Sequence, residues 1–102
     1  MTRKDLARAI SEKTGLSRKD AEAAVSVVFA TIEESLLRGE AVTIRGFGTF
    51  GLKYQRARKG RIIHSGQIVP IPPRLRASFE PSPQLQKSIF QKKELLERYT
   101  SE

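Results

Sequence analysis

The chain has no cysteine, no tryptophan and a single histidine, His64, among its 102 residues. Without cysteine it can form neither a disulfide framework nor a thiolate metal site, and it has no cysteine nucleophile. The histidine has no acidic neighbour in sequence, so a pocket with a paired acid and base is hard to assemble. We therefore predict no catalytic residue, no bound metal, no cofactor and no small-molecule substrate.

Long apolar runs are also missing, so the sequence predicts no transmembrane helix and no membrane partner. Residues 1–14 are charged and amphipathic, whereas a signal peptide needs an apolar core. This pattern predicts a cytoplasmic location. The length predicts one domain, and a charged fraction of 29% with a hydrophobic fraction of 38% is typical of a folded protein.

Acidic residues are absent from Ala41 to Phe79. This stretch carries eight cations: Arg45, Lys53, Arg56, Arg58, Lys59, Arg61, Arg74 and Arg76. The rest of the chain has equal numbers of basic and acidic side chains, so the whole formal net charge of +8 arises here. Scattered charges usually form a solvated face, but a run of one sign favours a dense polyanion as partner. Nucleic acid is the leading candidate, because lysine and arginine displace condensed counterions from phosphates.

The apolar pattern predicts an α+β fold. Residues 2–14 form a helix that Thr2 and Asp5 begin, and a second helix starts at Ser17 and ends near Gly39. β-Branched residues at 42–44, a glycine turn at 46–48 and alternation from residue 50 predict a small sheet. A last helix opens at residues 81–83.

The polar segment from about residue 53 to 73 is predicted to project as a flexible ribbon that turns near His64. Roughly 80 residues then remain for the core, which is marginal for a single chain. Since the second helix is apolar along its whole length, we predict a homodimer whose subunits share one core. Its large members are Phe29, Phe47, Phe50 and Phe79.

With these features in place, the chain resembles the bacterial HU and integration host factor family of DNA-bending proteins. The resemblance covers residues 1–90 and rests on Gly46-Phe47-Gly48-Thr49-Phe50, Arg58-Lys59-Gly60-Arg61, Gly66, Ile71-Pro72, Phe79 and Pro81. It implies an intertwined dimer with a helical body, a small antiparallel sheet and two protruding β-ribbon arms. It also implies a non-enzymatic, nucleoid-associated protein that bends or compacts double-stranded DNA through the minor groove.

The chain departs from the family near the arm tip. The family usually has Arg-Asn-Pro there, and its proline wedges between base pairs, whereas this chain has Arg61-Ile62-Ile63. Isoleucine is apolar and stiff at Cβ, so we predict Ile63 to be the intercalating wedge. An ordinary strand residue or a patch covered by a partner protein are the alternatives.

Two further departures lie at the C-terminal end. Pro83 and Gln86, preceded by Glu80, stand where family members often carry lysines near the start of the last helix. Residues 91–102 extend past the usual family end and are predicted to lengthen that helix.

The remaining site residues follow partly from the resemblance. It places a cation of the first helix against phosphate, which makes Arg3 a candidate. Arg45 adjoins the turn whose small residues Gly46 and Gly48 let backbone N–H groups approach phosphate, although turn geometry alone would explain both glycines. The predicted DNA-binding residues are therefore Arg3, Arg45, Gly46, Gly48, Lys53, Arg56, Arg58, Lys59, Arg61, Ile63, Arg74 and Arg76.

Three alternatives stay open at the level of sequence. A heterodimer with a paralogue would share a core as well as a homodimer does. An RNA-binding protein would need the same cations, although Tyr54 is the only exposed aromatic candidate in the basic segment and single-strand stacking modules need several. An interaction module that grips an acidic partner protein is the third.

Overall fold

The computed structural model describes residues 1–61 and 66–100, with only the backbone of Arg61. The chain falls into two compact units, Met1–Arg38 and Gly39–Glu102. The predicted wedge Ile63 and the predicted turn residue His64 lie outside the described residues. Among the described residues, no helix combines the length and the apolar character needed to cross a bilayer.

The first unit is a helical hairpin of α1 (Arg3–Thr14) and α2 (Arg18–Leu37). A capping box begins α1: the Thr2 N–H donates to Asp5 Oδ2 at 2.9 Å, and the Asp5 N–H donates to Thr2 Oγ1 at 3.3 Å. The bond from the Thr2 backbone, then the one from its hydroxyl, lowers the pKa of Asp5. Gly15 ends α1 with a left-handed φ of 80°, and Ser17 caps α2. These ends confirm the predicted helices.

The core of this unit is small. Ala7, Ala21 and Val25 are its buried hydrophobic residues, with Leu6 and Ile10 packed against them. The apolar face of α2 is partly open at Val28 and Phe29, whose side chains are 52% and 37% exposed. A helix that is apolar along its length but buries so little of that surface is typical of a chain that packs against another molecule.

The second unit contains five antiparallel strands and two helices. The strands are β1 (Val42–Ile44), β2 (Gly48–Gln55), β3 (Arg58–Arg61), β4 (Ile68–Ile71) and β5 (Arg74–Pro81), and the helices are α3 (Pro83–Gln91) and α4 (Lys93–Thr100). The sheet order is β1-β2-β5, and β3 pairs with β4 as a separate hairpin. Four helices with a small antiparallel sheet confirm the predicted α+β class.

The two-stranded ribbon starts at Gly51, close to the predicted arm start at about residue 53. Strand β1 reaches only as far as Phe50 on β2, so β2 and β5 continue alone as a two-stranded ribbon from Gly51 to Gln55. The ladder is interrupted at residues 56–57 and 72–73, and the hairpin β3–β4 follows. Pro72 and Pro73 occupy one side of the interruption, where their missing N–H groups cost no ladder bond.

The structure has two helices where the sequence predicts a single last helix. Helix α3 begins at the Ser82 cap, whose hydroxyl accepts from the Leu85 N–H at 3.1 Å, and it ends at Gln91. Lys92 has φ −86° and ψ 77°, which leaves the helical region, and α4 starts at Lys93. The predicted helical extension is present at Lys93–Thr100, but it is a separate helix and does not lengthen α3. The sequence has neither glycine nor proline at the break to signal it.

Candidate nucleic-acid interface

The β2–β5 ribbon has one polar and one apolar face. Directly opposed residues of an antiparallel pair point to the same side, and the side alternates along the strand. Lys53 pairs with Arg76 and Gln55 with Arg74 on the first side, which we call the cationic face. Leu52 pairs with Ala77 and Tyr54 with Leu75 on the second side. Arg74 and Arg76 therefore share one face of β5, and Leu75 and Ala77 share the other.

Two like charges are opposed on the cationic face. Lys53 and Arg76 are direct partners, so their Cβ atoms lie about 5 Å apart. The acid that shares this side of β5 is Glu80, opposite Thr49, and it lies four residues or roughly 13 Å from Arg76. A directly opposed cation pair destabilises a sheet unless an anion joins it. The register therefore favours an anionic ligand at this position.

Arg74 extends the cationic face toward the arm. Its Nε–H donates to Gln55 Oε1 at 2.7 Å across the ladder. This bond engages one of the five guanidinium N–H donors and holds the planar group over the ribbon. The side chain is exposed, so the other donors are accessible to a planar anion such as phosphate.

The hairpin β3–β4 distributes its cations differently. Arg58 is opposite Ile71 and Lys59 is opposite Pro70, so the two exposed cations point to opposite faces of the hairpin. The backbone of Arg61 pairs with Ile68. Arg56 is exposed in the interruption between β2 and β3. A straight, flat surface could meet only one face, whereas a partner on both sides of the hairpin could meet both.

The turn between β1 and β2 carries Arg45 at its start. The Phe47 N–H donates to the Ile44 carbonyl at 2.9 Å, and Gly46 adopts a left-handed φ of 77° that a side chain would strain. Arg45 is exposed at the edge of a concavity of about 460 Å³ whose lining also includes Glu80. The carboxylate makes this concavity less cationic than the ribbon.

Gly48 has a packing requirement of its own. A Cβ at this position would lie 2.5 Å from the Glu80 carbonyl oxygen and 2.6 Å from the Phe79 ring. That ring is tilted against Phe47 and Phe50, with centroid distances of 5.3 and 4.9 Å. Gly48 thus makes room for the aromatic cluster, and its predicted phosphate contact stays a prediction. Phe47 and Phe79 remain 45% and 41% exposed, as members of a shared core would be in a single chain.

Arg3 has a neighbour that the sequence did not suggest. It lies in the first turn of α1, and its Cζ is 5.3 Å from the centre of the Phe29 ring. A cation over an aromatic face is attracted by the ring quadrupole. The guanidinium therefore covers part of Phe29, a contact that depends on how α1 packs on α2 and has no local sequence signal.

Metal ligands do not gather in the part of the chain that the structure describes: no three histidine, cysteine, aspartate or glutamate side chains form a cluster there.

The predicted DNA-binding cations fall into three groups. Lys53, Arg74 and Arg76 share one face of the ribbon, Arg58 and Lys59 lie on the adjoining hairpin, and Arg45 lies at the opposite end of β2.

Comparison with known proteins places this geometry among DNA-binding proteins. The family described as bacterial DNA-binding protein matches residues 1–89. The SPbeta prophage-derived DNA-binding protein HU 2 of Bacillus subtilis is 38% identical over 89 residues, which cover 87% of this chain and 97% of that protein. Integration host factor subunit alpha of Paracoccus denitrificans is 44% identical over 82 residues, or 80% of each chain.

A solved structure gives the same result for the fold. The Anabaena HU–DNA cocrystal structure superposes with a TM-score of 0.80 at 28% identity, over 87% of this chain and 97% of that one. The family match ends at residue 89, so α4 lies outside the matched residues.

Proposed function

The chain belongs to the bacterial DNA-binding protein family of HU and integration host factor, and on that basis we propose that it is a non-enzymatic architectural protein of the bacterial nucleoid. It binds double-stranded DNA through the minor groove as a homodimer, and it bends or compacts the duplex. The observation that carries this proposal is the cationic face of the ribbon, where Lys53 and Arg76 oppose each other without an acid between them.

Phosphate is the anion that fits this face. Arg74, Lys53 and Arg76 present guanidinium and ammonium donors at neighbouring positions of one ribbon surface. A duplex supplies phosphates at close, regular spacing, and their neutralisation releases counterions. Backbone contacts of this kind carry no base information, so we expect recognition by shape and deformability.

The β3–β4 hairpin supports the groove-binding part of the proposal. A ribbon inside a groove lies between two phosphate backbones, and cations on both of its faces can then contact phosphate at once. Arg58 and Lys59 point to opposite faces of the hairpin, as this arrangement needs. The minor groove is narrow, and proteins that enter it widen it by bending the duplex. Ile63, which lies outside the described residues, is our proposed wedge for that bend.

The homodimer is supported by the unfilled apolar surface. Among the described residues only Ala7, Ala21 and Val25 are buried hydrophobics, while Phe29 and Phe79 are about two-fifths exposed. A stable monomer does not usually leave its large aromatic residues open in this way. A second subunit, whether identical or a paralogue, would bury these rings in a common core.

Competition binding tests the choice of nucleic acid. A labelled DNA duplex bound to the protein is challenged with unlabelled duplex DNA and duplex RNA of equal length and sequence. We expect DNA to compete at much lower concentration, because A-form RNA presents a wide, shallow minor groove that does not enclose an arm. Equal or better competition by RNA would favour the RNA-binding alternative. High-affinity capture of an acidic protein with all DNA removed would favour an interaction module that grips an acidic partner protein.

A further inference from the structure

The side of the sheet that carries the cationic face also carries an acid. Glu80 pairs with Thr49, four positions along β2 from Lys53, and an even number of residues keeps side chains on the same side of a strand. Thr43 lies beside Thr49 on this side, with their hydroxyl oxygens 3.2 Å apart. The charge on this side therefore changes sign along the sheet, from Lys53 and Arg76 on the ribbon to Glu80 next to the three-stranded part.

The negative charge of Glu80 is uncompensated. The residue is exposed, and among the described residues no cation lies within ion-pair distance of its carboxylate. Arg45 lines the same concavity without forming an ion pair with it. A phosphate that came within a Debye length of this carboxylate, about 8–10 Å at ordinary salt, would be repelled.

Helix α3 begins beside Glu80. Ser82, Pro83 and Gln84 line the same concavity, and the first turn of α3 contains neither an acid nor a base. A helix N-terminus carries a partial positive charge that attracts an anion. The carboxylate of Glu80 offsets this charge, so the start of α3 is a poor position for a phosphate.

The ribbon and the three-stranded part of the sheet thus offer a duplex opposite charges. Glu80 is four residues from Arg76 along β5, or roughly 13 Å, whereas a duplex carries one negative charge for about every 1.7 Å of its axis. A duplex held by Lys53 and Arg76 that continued along this side of the sheet would bring phosphates close to Glu80.

We propose that Glu80 limits the length of duplex that contacts the protein. DNA is held at the ribbon and leaves the surface of the sheet before it reaches Glu80. This inference rests on the DNA binding of the proposed function, and it makes Glu80 a residue that sets the size of the binding site.

Glu80→Gln tests this limit, because it removes the charge and keeps the size of the side chain. Hydroxyl-radical footprinting compares the protected length of a duplex that has one central nick. The nick gives the arms one preferred position, since unstacking is already cheap there. We expect the variant to protect a longer stretch than the parent on each side of the nick, and circular dichroism should show the same fold for both proteins.

The matched control is Glu22→Gln, which makes the same change in net charge at an exposed acid of α2, outside the sheet. Affinities are measured on duplexes of about one and about three helical turns, roughly 10 and 30 base pairs. The ratio of variant to parent affinity cancels the statistical advantage of the longer duplex. For Glu80→Gln we expect nearly equal affinity on the shorter duplex and a gain of roughly two- to tenfold on the longer one. The control should give the same ratio on both.

The proposal is wrong if Glu80→Gln protects the same length of duplex as the parent. It is also wrong if the gain in affinity is the same for both variants, or the same on both duplexes, since net charge alone would then explain it. Failure of the parent to bind either duplex would instead refute the DNA binding of the proposed function, and this inference with it.

Discussion

Helix α2 and the β2–β5 ribbon each present an extended surface that the described chain does not cover, one of them apolar and the other cationic. The apolar face of α2 is partly exposed at Val28 and Phe29, whereas the ribbon places Lys53 opposite Arg76. The first surface gains stability by leaving water, and the second by meeting an anion. Added salt should therefore weaken anion binding by the cationic ribbon strongly, and it should affect burial of the apolar face of α2 very little.

The largest effect should come from the apolar side of this comparison. Phe29→Ala should lower the free energy of unfolding by about 3 kcal/mol or more per chain if the ring is buried in the dimer core. Urea unfolding and sedimentation equilibrium measure this loss and the accompanying dissociation. Arg3→Ala is the control, since it removes the cation over the same ring at a cost of about 0.5–1 kcal/mol. A loss no larger than the control's would mean that no partner covers Phe29.

The next effect concerns the cations of the arm. Changing Arg58 and Arg61 together to alanine should lower the affinity for every duplex sequence and flatten the slope of log K against log salt by roughly 2–4. The control removes two cations outside the ribbon, Lys13→Ala with Lys19→Ala, and should leave the slope nearly unchanged. Equal losses in the two double variants would indicate that only net charge matters, and not the ribbon.

A variant at Ile63 should distinguish DNA bending from DNA binding. An apolar wedge acts on base stacking, at a cost of a few kcal/mol per step, whereas the arm cations act on phosphates that are present in straight and bent DNA alike. Ile63→Ala should reduce the bend, measured by energy transfer between the duplex ends, and keep most of the salt slope. Nicked DNA should partly rescue the variant because unstacking is already cheap there. An unchanged bend would assign Ile63 to packing within the arm or against another protein.

The smallest effect is a gain in stability. Lys53→Gln removes the like charge opposite Arg76, so without DNA the free energy of unfolding should rise by about 0.2–1 kcal/mol while DNA affinity falls. Lys59→Gln is the matched control, because the residue directly opposite Lys59 is Pro70 and not a cation. It should lose affinity without becoming more stable. If the two variants had the same free energy of unfolding, the opposed Lys53–Arg76 pair would not destabilise the free protein.

The two surfaces also differ in how far the sequence predicts them. The ends of α1 and α2 are coded locally by Thr2, Ser17 and Gly15, and the structure confirms each. The absence of acids also identifies the segment that bears the cations. The arrangement of those cations cannot be read from the sequence, because the pairing of Lys53 with Arg76 depends on a register set across a long connection.

Other features had no local signal at all. The stacking of Arg3 on Phe29 depends on how the two helices pack, and the break at Lys92 occurs without glycine or proline. Long-range packing decides such features, and short-range propensity does not record it. The aromatic cluster is predicted in part. The sequence predicts Phe47, Phe50 and Phe79 as core residues, but the close contact of Phe79 with Gly48 depends on how the strands pair.

The salt dependence of DNA binding tests the central claim most directly. Binding of the unaltered protein to one duplex is measured by fluorescence anisotropy across a range of salt concentrations. If the ribbons neutralise about four to eight phosphates per dimer, log K should fall against log salt with a slope of roughly −4 to −7. A slope near zero would contradict the account, because it would mean that the acid-free ribbon does not bind DNA through its charge.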